Sequence, residues 1–98
     1  MKIIVETPNI SASDKLIELI NKKLEKVEQV SDQVVEARVY LKTEKSDINK
    51  NKICEIKLVI PGNDLFTSDQ CATFEEAIAN ATDSIRRQLI DWKQRISQ

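Results

Sequence analysis

From Phe74 onward, apolar residues recur at Phe74, Ile78, Ala81, Ile85, Leu89, Trp92 and Ile96, spaced by four, three, four, four, three and four residues. That spacing puts all seven side chains on one stripe of an α-helix running from about 74 to 96. At 1.5 Å per residue such a helix extends about 34 Å, and it must lay its stripe on a comparably large apolar surface. Thr73 is the N-cap candidate, and Glu75 and Glu76 sit at the positive end of the helix dipole.

The rest of the chain supplies that surface. Val35, Ala37, Val39 and Leu41 alternate with Glu36, Arg38, Tyr40 and Lys42, which predicts a half-buried strand at about 34–43. Cys54, Ile56, Leu58 and Ile60 alternate with Ile53, Glu55, Lys57 and Val59, a second strand at about 52–60. Between them, Lys42 to Lys52 has almost nothing to bury and reads as an exposed hairpin loop. Pro61-Gly62-Asn63-Asp64 is a turn holding the only glycine, and Leu65 to Gln70 follows as a weaker strand paired with the preceding one. At the other end Ile3-Ile4-Val5 forms a strand at about 2–7, closed by Pro8. Ser13 then caps a helix from about 14 to 29, with Leu16, Ile17, Ile20, Leu24 and Val27 along one side, and Ser31-Asp32-Gln33 breaks it.

The order is β-α-β-β-β-α in one α+β domain over residues 1–98, without linker or repeat. Two single-stripe helices and strands with one apolar face combine most simply as a four-stranded, largely antiparallel sheet with both helices on one face. The other face would show Lys2, Glu36, Arg38, Tyr40, Glu55 and Lys57 to water.

Little in the sequence equips it for catalysis. Histidine is absent, which removes the usual general base near neutral pH and the usual nitrogen metal ligand. Cys54 falls on the buried strand face with no base to activate it. Cys71 precedes a helix N-terminus, where a thiolate could be stabilised, but a partly buried structural thiol is the stronger reading. Two cysteines without metal-ligand spacing do not make a zinc site, and one glycine does not make a phosphate-cradling loop. The expectation is a protein that is not an enzyme and takes no cofactor. No stretch reaches the roughly 18 apolar residues of a membrane span, and the start lacks a secretory apolar region, so a cytoplasmic location is expected.

Charge remains. Fifteen Lys and Arg against sixteen Asp and Glu give a net charge of −1, so attraction to phosphate must come from local segregation. Lys22, Lys23 and Lys26 crowd into little more than one turn of the first helix. Arg86, Arg87, Lys93 and Arg95 follow the last acid-rich turn of the second, with only Asp91 among them. Side by side, the helices would merge these clusters into one basic strip. The competing reading is ordinary solvated helix surface, with Glu18–Lys22, Asp83–Arg87 and Asp91–Arg95 as i,i+4 pairs.

Several runs together resemble one family. They are Met1-Lys2-Ile3-Ile4-Val5, Ser13-Asp14-Lys15-Leu16, Lys23-Leu24-Glu25-Lys26-Val27 and Val39-Tyr40-Leu41, then Glu55 through Gly62. Thr73-Phe74-Glu75-Glu76-Ala77-Ile78 and Asp83 through Leu89 complete the set. In order and spacing the chain resembles the short ribosome hibernation factors, the hibernation promoting factor and ribosome-associated inhibitor A family, formerly called sigma-54 modulation proteins. The resemblance implies a fold similar to double-stranded-RNA-binding domains. It also implies binding to the small ribosomal subunit, against ribosomal RNA in the messenger and transfer RNA channel, which silences translation in starved or stationary cells. Carried over, Lys23, Lys26 and Arg87 match basic positions of the family, and Lys93 and Arg95 fall in its basic tail; Lys22 and Arg86 are added on charge alone. The chain departs from the family pattern at Ser84, Asp91 and Gln29, where relatives carry basic residues, and at Cys71, where many carry histidine. The alternative is a protein-interaction module on the same fold with weakened RNA binding, its partner surface on the open sheet face at Ile4, Tyr40, Val59 and Phe66.

Overall fold

A computed structural model describes residues 1–45 and 50–96. The elements run β1 (Lys2–Glu6), α1 (Asp14–Glu28), β2 (Glu36–Thr43), β3 (Lys52–Ile60), β4 (Asn63–Cys71) and α2 (Phe74–Ile96). The middle of the loop expected over 42–52 lies outside the described residues.

Local chemistry sets the element ends. The Leu16 backbone N–H donates to Ser13 Oγ at 3.2 Å, and the Glu76 N–H donates to Thr73 Oγ1 at 3.2 Å, so each helix starts on the hydroxyl cap expected of it. Beyond α1, the Gln33 N–H donates to Ser31 Oγ at 3.1 Å, giving the freed backbone a partner outside the helix. Pro61 and Gly62 join β3 to β4, and Gly62 has φ +81°, the positive value that the third residue of a type II turn requires.

The four strands form one sheet in the order β1-β2-β3-β4. The β2/β3 and β3/β4 ladders are antiparallel, while β1 pairs with β2 in parallel. The parallel edge follows from α1, which carries the chain back along the sheet before β2 begins. Strand β4 is longer than its composition suggests, because β3 pairs with it over its whole length from Asn63 to Cys71.

One face of the sheet carries the core. Ala37, Val39 and Leu41 of β2 and Cys54, Ile56, Leu58 and Ile60 of β3 pack with Ile20, Leu24 and Val27 of α1. Ala77, Ile78, Ala81, Ile85, Leu89 and Trp92 of α2 complete the same cluster. Both helices therefore share one sheet face and touch each other. Side-chain bonds fasten α2 to β4 and steady the helix itself. Thr67 Oγ1 of β4 donates to Ser84 Oγ of α2 at 3.0 Å, Gln88 Nε2 donates to the Phe66 carbonyl at 2.9 Å, and Thr82 Oγ1 bonds back to the Ile78 carbonyl. Asn9 adds a tie at the sheet margin, its side-chain amide both donating to and accepting from the Thr43 backbone.

Three side chains depart from simple alternation. Val35 was expected on the core side but is 61% exposed, and Val34 occupies the core instead. The regular pleat starts only at Glu36, so the period-two rule does not extend back to Val35. Ile53, on the open face, is nonetheless buried and stands apart from the main core, between Lys42 and Gln70 in the ladders. Asp69, on the helix side opposite Cys54, has Oδ2 buried without a hydrogen-bond partner among the described residues.

This arrangement ranks substitutions. Ile56→Ala opens a cavity in the middle of the core and should cost about 2–5 kcal/mol in urea unfolding. Val35→Ala should stay within about 0.5 kcal/mol. Equal losses would mean that the phase of β2 is misassigned.

Candidate nucleic-acid interface

The apolar stripes that bury α1 and α2 also decide which charges can meet. On α1 the buried residues are Ile20, Leu24 and Val27, which leaves Lys23 and Lys26 on the flank facing α2. On α2 the buried stripe runs through Ile78, Ala81, Ile85, Leu89 and Trp92. The positions next to it, Ala79, Thr82, Asp83 and Arg86, face α1.

Between these flanks lies an open groove of about 420 Å³, lined by Lys23, Lys26, Gln29, Ala79, Thr82, Asp83 and Arg86. A second hollow of about 430 Å³ adjoins it and shares Gln29 and Arg86; its other walls are Val30, Ile90, Lys93 and Gln94. Successive residues of α1 face successive residues of α2, so the helices run side by side in the same direction. Polar and charged side chains predominate on the walls, with partly exposed Ala79, Val30 and Ile90 among them, and fully buried aliphatic residues of both helices lie beneath.

The seven basic residues singled out by sequence fall into distinct settings. Lys23, Lys26 and Arg86 converge on the first groove. Lys93 lines the second, and its Nζ donates to the Val30 carbonyl at 2.7 Å. The bond ties the tail of α2 to the chain just past α1, a favourable place for a cation because carbonyls are left over at a helix C-terminus. Arg87 and Arg95 lie on the solvent side of α2. Arg87 Nη2 is 3.1 Å from Asp83 Oδ2, and Arg95 Nη2 is 3.3 Å from Asp91 Oδ2. Lys22 lines neither groove. Among the described residues, the ion pairs leave out Lys22, Lys23, Lys26 and Arg86, and the expected Glu18–Lys22 pair does not form.

Sequence reasoning did not pick out Gln29 and Thr82 as parts of the wall. Gln29 touches both hollows, and its amide can donate and accept. Thr82 turns its hydroxyl back to the helix carbonyls of Ile78 and Ala79, which leaves its methyl group as the groove floor. The open sheet face has a different character, with Arg38–Glu36, Lys42–Glu55 and Lys57–Asp64 pairs laid across it at 2.7, 3.6 and 3.4 Å. Its charge is balanced locally, whereas that of the groove is not.

Residues 3–97 match the model of the family described as Sigma 54 modulation protein / S30EA ribosomal protein. A ribosome hibernation promotion factor from Deinococcus radiodurans is 28% identical over 89 residues, which cover 89% of this chain and 46% of that protein. The chain thus spans about half the length of that curated relative. Among solved structures, a ribosomal subunit interface protein from Coxiella burnetii superposes with a TM-score of 0.86 at 18% identity, over 96% of this chain and 99% of that one. The N-terminal domain of Thermus thermophilus Protein Y gives 0.79 at 22% identity, over 94% and 99%. These two likenesses establish a shared fold.

The thiols contribute little reactivity. Cys54 is fully buried, and loss of hydration, reinforced by Asp69, Glu55 and Cys71, pushes its pKa from 9.0 up to about 12. Cys71 is buried too and accepts a hydrogen bond from Asn80 Nδ2 at 3.3 Å. The raised Cys54 value has a thermodynamic consequence. Above pH 9 the unfolded thiol ionises while the folded one stays protonated. Its contribution to stability is therefore whole below pH 9 and is lost as pH climbs toward about 12. In chemical denaturation over that range, the native sequence should lose stability more steeply than Cys54→Ala. Parallel curves would show that the thiol titrates normally.

Proposed function

We propose a ribosome-associated role from one premise: this chain belongs to the Sigma 54 modulation protein / S30EA ribosomal protein family. On this reading it is a translation inhibitor of the cytoplasm. It occupies the messenger and transfer RNA channel of the small ribosomal subunit in starved or stationary cells. No bond is made or broken; the subunit is silenced because its channel is filled.

The observation that carries this reading is the convergence of Lys23 and Lys26 from one helix with Arg86 from the other on a single groove. Three cations on two walls match the phosphates of an RNA backbone better than a small neutral ligand. Ammonium and guanidinium groups fixed on helices reach phosphate oxygens without any loop having to fold around the RNA. Arg87, Lys93, Arg95 and Lys22 extend the positive flank beyond the groove and would add outer contacts.

A second reading has its own observation. Phe66 is 54% exposed on the open sheet face, diagonal to half-buried Val59 of the neighbouring strand, with half-buried Tyr40 and Ile4 farther across the same face. An aromatic residue presented this way suits a protein partner. A pull-down that returns one defined protein without ribosomes, and loses it on Phe66→Ser, would favour that reading.

Co-sedimentation with small subunits separates the two. Reversing Lys23, Lys26 and Arg86 to Glu together should abolish subunit binding, whereas Phe66→Ser should leave it intact. If the three groove cations each meet one phosphate, they contribute about 2–3 to the slope of log affinity against log salt, and each Ala variant removes just under one. A charge-reversed protein that still sediments with subunits would end the proposal.

A further inference from the structure

Two arginines beside the groove are already engaged by the chain's own carboxylates. Asp83 holds Arg87 at 3.1 Å and Asp91 holds Arg95 at 3.3 Å, each one helical turn apart on α2. All four side chains are about two-thirds exposed, so water screens both pairs and they open readily. While closed, each carboxylate cancels a positive charge next to the groove. Asp83 has a second effect, because it also stands in the groove wall with Lys23, Lys26 and Arg86. A phosphate chain entering there meets one negative group among three positive ones.

We propose that Asp83 and Asp91 are affinity-limiting residues of this interface. They hold binding of a phosphate backbone below what the surrounding cations alone would give, and so keep it reversible. The identity of the partner rests on the reading above; the effect on phosphate binding does not.

Two plainer roles lead to different outcomes. If the carboxylates serve only to stabilise α2, removing them lowers the melting temperature and leaves affinity unchanged. If only total charge matters, removing any acid is equivalent. Asp64 supplies that comparison, since it pairs with Lys57 at 3.4 Å on the sheet side away from the helices.

The experiment compares the native sequence, Asp83→Asn with Asp91→Asn, and Asp64→Asn. Each full chain is titrated against a labelled RNA duplex of about 20 base pairs and against purified small subunits, at several salt concentrations. The double variant should bind the duplex about three- to tenfold tighter, with a salt slope steeper by about 1.5. Asp64→Asn should stay within about twofold of the native sequence. A double variant that binds the duplex no tighter than Asp64→Asn, including one that does not bind at all, overturns the proposal. A native chain that binds the duplex but not the subunits removes the ribosomal partner and leaves the role of Asp83 and Asp91 standing.

Discussion

Burial of the α2 stripe is the constraint from which the other features follow. A helix of 23 residues with one apolar side has to be covered along its length, and it lies against the inner surface of β3 and β4 with α1 along its flank. Once it lies there, α1 has to share the same face, because Ile20, Leu24 and Val27 need the remaining part of the sheet. The two helices then stand as neighbours whether or not their surface residues attract each other. Their cationic flanks are brought together by what lies underneath them. In that sense the groove is a by-product of core packing.

This separation between support and surface explains how a chain with net charge −1 can still present a basic feature. The acids are not scattered evenly. Several sit in the first turns of the helices, others lie on the open sheet face opposite lysine or arginine, and Asp83 and Asp91 are matched to arginines one turn on. Among the described residues, Lys23, Lys26 and Arg86 form no ion pair and meet between the helices. The sum over the chain hides a local imbalance.

Much of the fold was legible because the relevant signals are periodic and local. The stripe of α2 from Phe74 to Trp92, the alternation of β3, the Ser13 and Thr73 caps and the Pro61-Gly62 turn each act over a few residues, and the structure keeps them. Ile96, expected as the last position of the stripe, is 51% exposed because the helix end runs past the surface that covers it. Val35 and Ile53 were misread because alternation says nothing about where a pleat begins or which long neighbours fold over a residue. The parallel pairing of β1 depends on the path of α1 and has no short-range signature. The interface was half legible. Charge counting drew seven basic residues into one strip, although only those next to the buried stripes can face the other helix. Shifting the α2 core positions on by one gives Ala79, Thr82, Arg86, Ile90 and Lys93, and moving back by one from Leu24 and Val27 gives Lys23 and Lys26. That rule separates Arg86 from Arg87 without coordinates. The Asp83–Arg87 and Asp91–Arg95 pairs were readable from i,i+4 spacing, Glu18–Lys22 had the same spacing and does not form, and the contact of Lys93 with Val30 spans 63 residues and needed the fold.

The bond from Gln88 to the Phe66 carbonyl has a meaning for life in a crowded cell. Strand β4 is an outer strand of the sheet, and an outer strand with vacant backbone acceptors invites a foreign strand to zip alongside. Here a helix side chain occupies one of those acceptors midway along the margin. An intruding chain would have to evict it before pairing could pass that point.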